Sequence, residues 1–147
     1  MQKPKLTGAL ILFIAWTAIA GANGLRELGS VETTWKPYMA DQPSLQGAVL
    51  IFQALTGAGI LAWLFTAWML YQREPGTLNR AQTSLLIGAL LRLLGGWSIV
   101  LFGRLPAEMV QRLMPQVGFI SCLILLFTGV WYLYLLRSQR VREIYAG

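Results

Sequence analysis

Apolar residues run along this chain in four long blocks, set apart by shorter polar stretches. The blocks cover 8–25, 47–71, 83–103 and 115–136, and Arg92 is the one charge inside any of them. A helix rising 1.5 Å per residue needs about 20 residues to cross a bilayer core. Lipid cannot satisfy an open strand edge, so helix is the reading for all four. The pattern therefore predicts an all-α fold, a four-helix transmembrane bundle forming a single domain over 1–147.

The connecting segments differ in kind. Segment 26–46 reads as a long outer loop, with Trp35-Lys36-Pro37-Tyr38 as an interfacial anchor. Segment 72–82 contains Glu74-Pro75-Gly76, a turn signal that makes the second and third helices antiparallel neighbours. After Pro106, residues Met109, Val110 and Leu113 fall on one face with Leu105, while Glu108, Gln111 and Arg112 fall elsewhere. This predicts a short interfacial helix over 106–113, with Pro115 opening the fourth span. The tail after 136 should prolong that helix, with Val141, Ile144 and Tyr145 as a small apolar stripe.

Lys3 and Lys5 ahead of an apolar run ending in Ala18-Ile19-Ala20 also resemble a cleavable signal peptide. The even count of four spans favours a retained helix. With the N-terminus inside, the inner segments carry Lys3, Lys5, Arg73, Arg80, Arg137, Arg140 and Arg142. The outer ones carry Arg26, Lys36, Arg104 and Arg112. This bias predicts that both termini are cytoplasmic.

Composition agrees with a membrane protein. Of 147 residues 56% are hydrophobic and 12% charged, against the ~25% charge of a soluble domain. The net charge of +6 lies beside the apolar blocks, where headgroups and topology require it, so nucleic acid is not an expected partner. Arg137, Arg140 and Arg142 are candidates for anionic lipid.

The missing residue types exclude much chemistry. There is no histidine and one cysteine, Cys122, so haem, zinc and copper ligation, a disulfide pair and the commonest general base are all unavailable. No metal and no cofactor is expected. The six carboxylates, Glu27, Glu32, Asp41, Glu74, Glu108 and Glu143, lie outside the apolar blocks, whereas a proton-coupled exporter needs one inside. A lipid enzyme would have only Glu32, Asp41 and Glu108 to use. The glutathione and eicosanoid enzymes of similar size need Arg-x-x-x-Asn, and here Arg92 is followed four positions on by Gly96. No catalytic site is expected.

Arg92 is then the most informative residue. A charge near the middle of a span costs about 2.5–3.5 kcal/mol on translocon scales unless it finds partners. Gln53 and Thr56 on the antiparallel second helix are candidate acceptors, and a lipid phosphate, a ligand carboxylate or a neighbouring subunit's acid is the functional alternative. A snorkelling structural arginine remains open beside these. Small residues (Ala15, Ala18 and Ala22; Gly57 and Gly59; Gly88, Ala89, Gly95 and Gly96) mark faces for close helix approach. Trp63, Trp68, Trp131, Tyr132 and Tyr134 suit an aromatic belt, and Cys122 suits a small core position.

The closing segment, Tyr132 through Arg142, ends Ser138-Gln139-Arg140-Val141. In this it resembles the YdgK-like bacterial inner-membrane proteins, whose last helix finishes in a Tyr followed by Ser-x-Arg-Val. Their Gly-Gly-Trp-Leu near the first helix has no Trp counterpart in Lys5–Leu10. The resemblance implies a multi-pass protein of the bacterial cytoplasmic (inner) membrane with four helices, and it transfers no catalytic residue. Two functions are expected in order. The first is an accessory or assembly subunit of a larger membrane complex, respiratory or photosynthetic in type, with lipids and other membrane subunits as partners. The second is a small carrier or channel for an anionic or lipidic substrate, using Arg92.

Overall fold

A computed structural model describes residues 5–146, so Lys3 of the basic rim lies outside them. The described residues form five helices: α1 (Gly8–Met39), α2 (Pro43–Gln72), α3 (Thr77–Phe102), α4 (Ala107–Arg137) and α5 (Gln139–Tyr145). The first four are long and apolar enough to cross a membrane. Their outward surface fits that solvent. Leu101, Phe119 and Leu126 are each 66% exposed, amid many other exposed apolar side chains that would form a large unpartnered patch in water.

The helices are longer than the apolar blocks that mark them. Segment 26–46 is no loop: α1 runs unbroken to Met39, carrying Pro37 within it, and α2 opens at Pro43. The reason is a stripe of Leu10, Phe13, Thr17, Gly21, Gly24, Leu28, Val31 and Trp35, spaced by three and four residues. It keeps one face of α1 against its neighbours far beyond residue 25. The expected interfacial helix over 106–113 is likewise the first two turns of α4, with Pro115 inside the helix rather than at its start. Its amphipathic face is as expected, with Leu105, Met109, Val110 and Leu113 partly buried and Glu108, Gln111 and Arg112 exposed.

α2 and α3 are joined by a tight turn through Glu74-Pro75-Gly76. Arg73 caps α2 in the left-handed region (φ 56°), and Gly76 supplies a second positive φ of 76°. Each long helix packs against the next long helix in sequence, and α2 with α3 is the most intimate pair. Three glycines explain that intimacy. A Cβ on Gly59 would lie 2.7 Å from the Gly88 carbonyl oxygen, one on Gly88 would strike Trp63, and one on Gly95 would lie 3.0 Å from the Thr56 nitrogen. Gly21 and Gly24 of α1 do the same against Leu64 and Ile60 of α2. Ala15, Ala18 and Ala22, expected to mark a packing face, instead point outward.

The interior divides into two apolar clusters. One sits at the end that carries Leu6 and Tyr145, the terminal end of the described residues, built on Phe13, Leu70, Leu85, Leu135, Val141 and Tyr145. The other sits at the far end, on Leu45, Val49 and Ile99 with Trp35 and Leu105 against them. The tail does not prolong α4. Ser138 turns extended (ψ 112°), its hydroxyl accepts from the Val141 N–H, and α5 folds back beneath the α2–α3 turn. There the Tyr145 hydroxyl donates to the Leu70 carbonyl and the Gly76 N–H donates to the Tyr145 carbonyl at 3.2 Å. The Val141 and Tyr145 stripe is thus consumed by the chain's own core.

Candidate functional site: a guanidinium between two cavities

Between the two clusters the interior turns polar around Arg92. Gly59 makes room for its stem, since a Cβ there would fall 2.6 Å from Arg92 Cγ. Its guanidinium carbon lies 4.6 Å from the centre of the Trp63 ring. Trp63 is buried rather than part of an interfacial belt, and its indole N–H donates to the Leu85 carbonyl at 3.1 Å. Such a cation–π contact contributes about 0.5–2 kcal/mol, which does not by itself offset the ~2.5–3.5 kcal/mol of a mid-span arginine. Arg92 Nε is buried without a hydrogen-bond partner among the described residues, and so is Thr56 Oγ1 across the α2–α3 seam.

Two cavities meet at this group. α1 and α4 touch at the terminal end, where Phe13 packs on Trp131 with tilted rings (centres 4.6 Å apart) and Thr7 Oγ1 bonds the Tyr134 hydroxyl at 3.0 Å. Beyond that clasp they part, leaving a groove of about 620 Å³. Leu12, Trp16 and Ala20 form one wall, Ile120 to Trp131 of α4 the other, and Trp63 and Arg92 the floor. On the far side of Arg92 is a smaller chamber of about 220 Å³, to which every long helix contributes a polar or aromatic side chain: Glu27 and Trp35 from α1, Thr56 from α2, Arg92 from α3 and Ser121 from α4. Ser121 accepts from the Trp97 indole N–H at 3.1 Å, tying α3 to α4 at this level.

Of the expected partners, Thr56 does share a cavity with Arg92, while Gln53, one turn earlier on α2, is half-buried and lines neither cavity. Glu27 is the residue that the block pattern hid. It falls in the segment expected to be a loop, yet α1 extends past it and carries it to the chamber that Arg92 also lines. The stripe through Gly24, Leu28 and Val31 was the signal that the helix continues past it.

Arg137, Arg140 and Arg142 are all exposed at the terminal end. Cys122 is exposed on α4 rather than in the core. A broader trough of about 850 Å³ lies at the terminal end between α2 and α3. Its Thr77 and Ser84 hydroxyls donate to the Glu74 and Ala62 carbonyls, and Glu74, Asn79 and Arg80 line it beside them. Among the described residues no cluster of His, Cys, Asp or Glu could hold a metal ion. Comparison with family models, curated proteins and solved structures returns no match for this chain.

Proposed function

We propose that this chain is a multi-pass protein of a bacterial cytoplasmic membrane, both termini inside, that binds an anionic or lipidic amphiphile within the membrane, as a small carrier does, and catalyses nothing itself. The observation that carries the reading is Arg92 at the floor of an apolar groove, with Nε and the nearby Thr56 hydroxyl buried and unpartnered. Among the described residues Thr17, Gln42 and Thr128 also hold buried polar atoms without partners but line neither cavity, whereas Arg92 and Thr56 line one chamber, where a single acceptor group would serve both. The groove is within the size range of small-molecule sites, about 300–1,000 Å³. A transmembrane helix about 10 Å across fills roughly 400 Å³ per turn, so the groove would take less than two turns of one. The basic residues flanking the spans and the YdgK-like closing segment support the orientation and the membrane.

The test is the lipid that stays with the protein. Native mass spectrometry of the protein released from mild detergent should show a bound amphiphile on the wild type. Ala20→Trp, which fills the groove away from the glycine seam, and Arg92→Gln should both lose it. Retention in Ala20→Trp at wild-type occupancy would end the proposal. The accessory-subunit reading is second, favoured by the outward alanines of α1, which allow a further helix to approach closely. It expects the protein to migrate in a larger complex after mild solubilisation, and a monomer would count against it.

A further inference from the structure

The chamber beside Arg92 carries charge of both signs, and this narrows what the groove can hold. Glu27 and Arg92 line it from different helices, together with Thr56 and Ser121, while the groove that shares Arg92 with it offers little but hydrocarbon. α1 and α3 run the same way. Leu28 packs at Gly57 and Thr56 packs at Gly95, which sets Glu27 close to the depth of Arg92. We infer that the bound amphiphile is a zwitterionic phospholipid, its phosphate on Arg92 and Thr56, its ammonium on Glu27, and an acyl chain laid along the α1–α4 groove. This rests on the groove-binding reading and deepens it.

The sign pattern excludes the simpler heads. A purely anionic head satisfies Arg92 but brings like charge towards Glu27, and a purely cationic one reverses the fault. A phosphate joined by a short link to an ammonium satisfies both groups at once, and its phosphate oxygens supply acceptors for the buried Arg92 Nε and the Thr56 hydroxyl. Glu27 is exposed on the outward side of the chamber, so the ammonium reaches it at the mouth without full desolvation. Like-charge juxtaposition is what sets specificity in such sites.

The experiment is a competition on the full-length protein, with equimolar phosphatidylethanolamine and phosphatidylglycerol of matched acyl chains, read by native mass spectrometry. Wild type should favour the zwitterion by about tenfold, a modest electrostatic discrimination. Glu27→Gln, at an exposed position, should bring that ratio near unity through a gain in phosphatidylglycerol, with the melting temperature unchanged. A wild type that takes both lipids equally, or a Glu27→Gln variant that keeps the preference, overturns the inference while leaving groove binding intact. If neither lipid binds above the level of Ala20→Trp, the groove reading fails with it.

Discussion

Gly59 shows how much at this site rests on one missing side chain. An added methyl would meet both the Arg92 stem at 2.6 Å and the Gly88 carbonyl oxygen at 2.7 Å, and the latter is backbone that cannot rotate away. Gly59→Ala should therefore push α2 and α3 apart and lower stability by about 1–3 kcal/mol, the usual range for overpacking. Gly118→Ala, where nothing lies within 4 Å, should be neutral or gain up to about 1 kcal/mol of helix propensity. Thermal unfolding of the two variants in the same detergent checks the contrast. At this scale the position of Arg92 was legible from sequence, because a lone charge in an apolar block announces itself, and so was the level of Thr56, from antiparallel depth, although the two make no hydrogen bond. Trp63 and Cys122 were not. An indole in a span suits a belt or a core equally, and here the Leu85 carbonyl and Gly88 draw it inward. A thiol is small enough to face either way.

Element boundaries were the least legible level, for a physical reason: apolar blocks report where lipid is, and helices stop where capping and packing allow. α1 extends over 32 residues, about 48 Å, which exceeds a bilayer core of about 30 Å. Its stripe, rather than its hydropathy, carries it to Met39 and delivers Glu27 to the chamber. The C-terminal element is a second case. Its Ser138 cap and apolar stripe were visible, but the fold-back under the α2–α3 turn depends on partners distant in sequence. This docking has a pH signature. Burial pushes the Tyr145 hydroxyl up from the ordinary tyrosine value of 10.0 to about 12, against a smaller opposing pull from Arg73. The docked form thus holds its proton more tightly than the released form. The stabilisation by Tyr145 is complete below 10.0 and is lost as pH rises through about 12. A spin label at Glu143→Cys in a Cys122→Ser background should become mobile across that window. Tyr145→Phe, which lacks the hydroxyl, should be mobile below it and show no such transition.

For the whole molecule, the arrangement is two apolar clusters with a polar waist, clasped between α1 and α4 at the terminal end and open between them beyond it. The all-helical architecture with four long apolar helices was legible because block length and charge exclusion both report on it. The gap between α1 and α4 was not, since it arises from what the first and last helices fail to contact. That gap makes stability depend on occupancy. A ligand that binds the folded state alone stabilises it by RT ln(1 + [L]/Kd), about 2.7 kcal/mol at a hundredfold excess over Kd. The protein stripped of lipid should therefore melt at a lower temperature and recover as phospholipid is titrated back. The recovery should saturate, as expected for a single site. Ala20→Trp should melt at one temperature throughout, because its indole already occupies the groove, and Arg92→Gln should recover only at much higher lipid. Thr7→Val, which removes the clasp to Tyr134, should keep the saturable response but release lipid faster, since it loosens the groove's closed end and leaves its floor intact. A wild-type melting temperature that rises without saturation, in parallel with Ala20→Trp, would mean that lipid acts as bulk solvent and that the waist holds nothing.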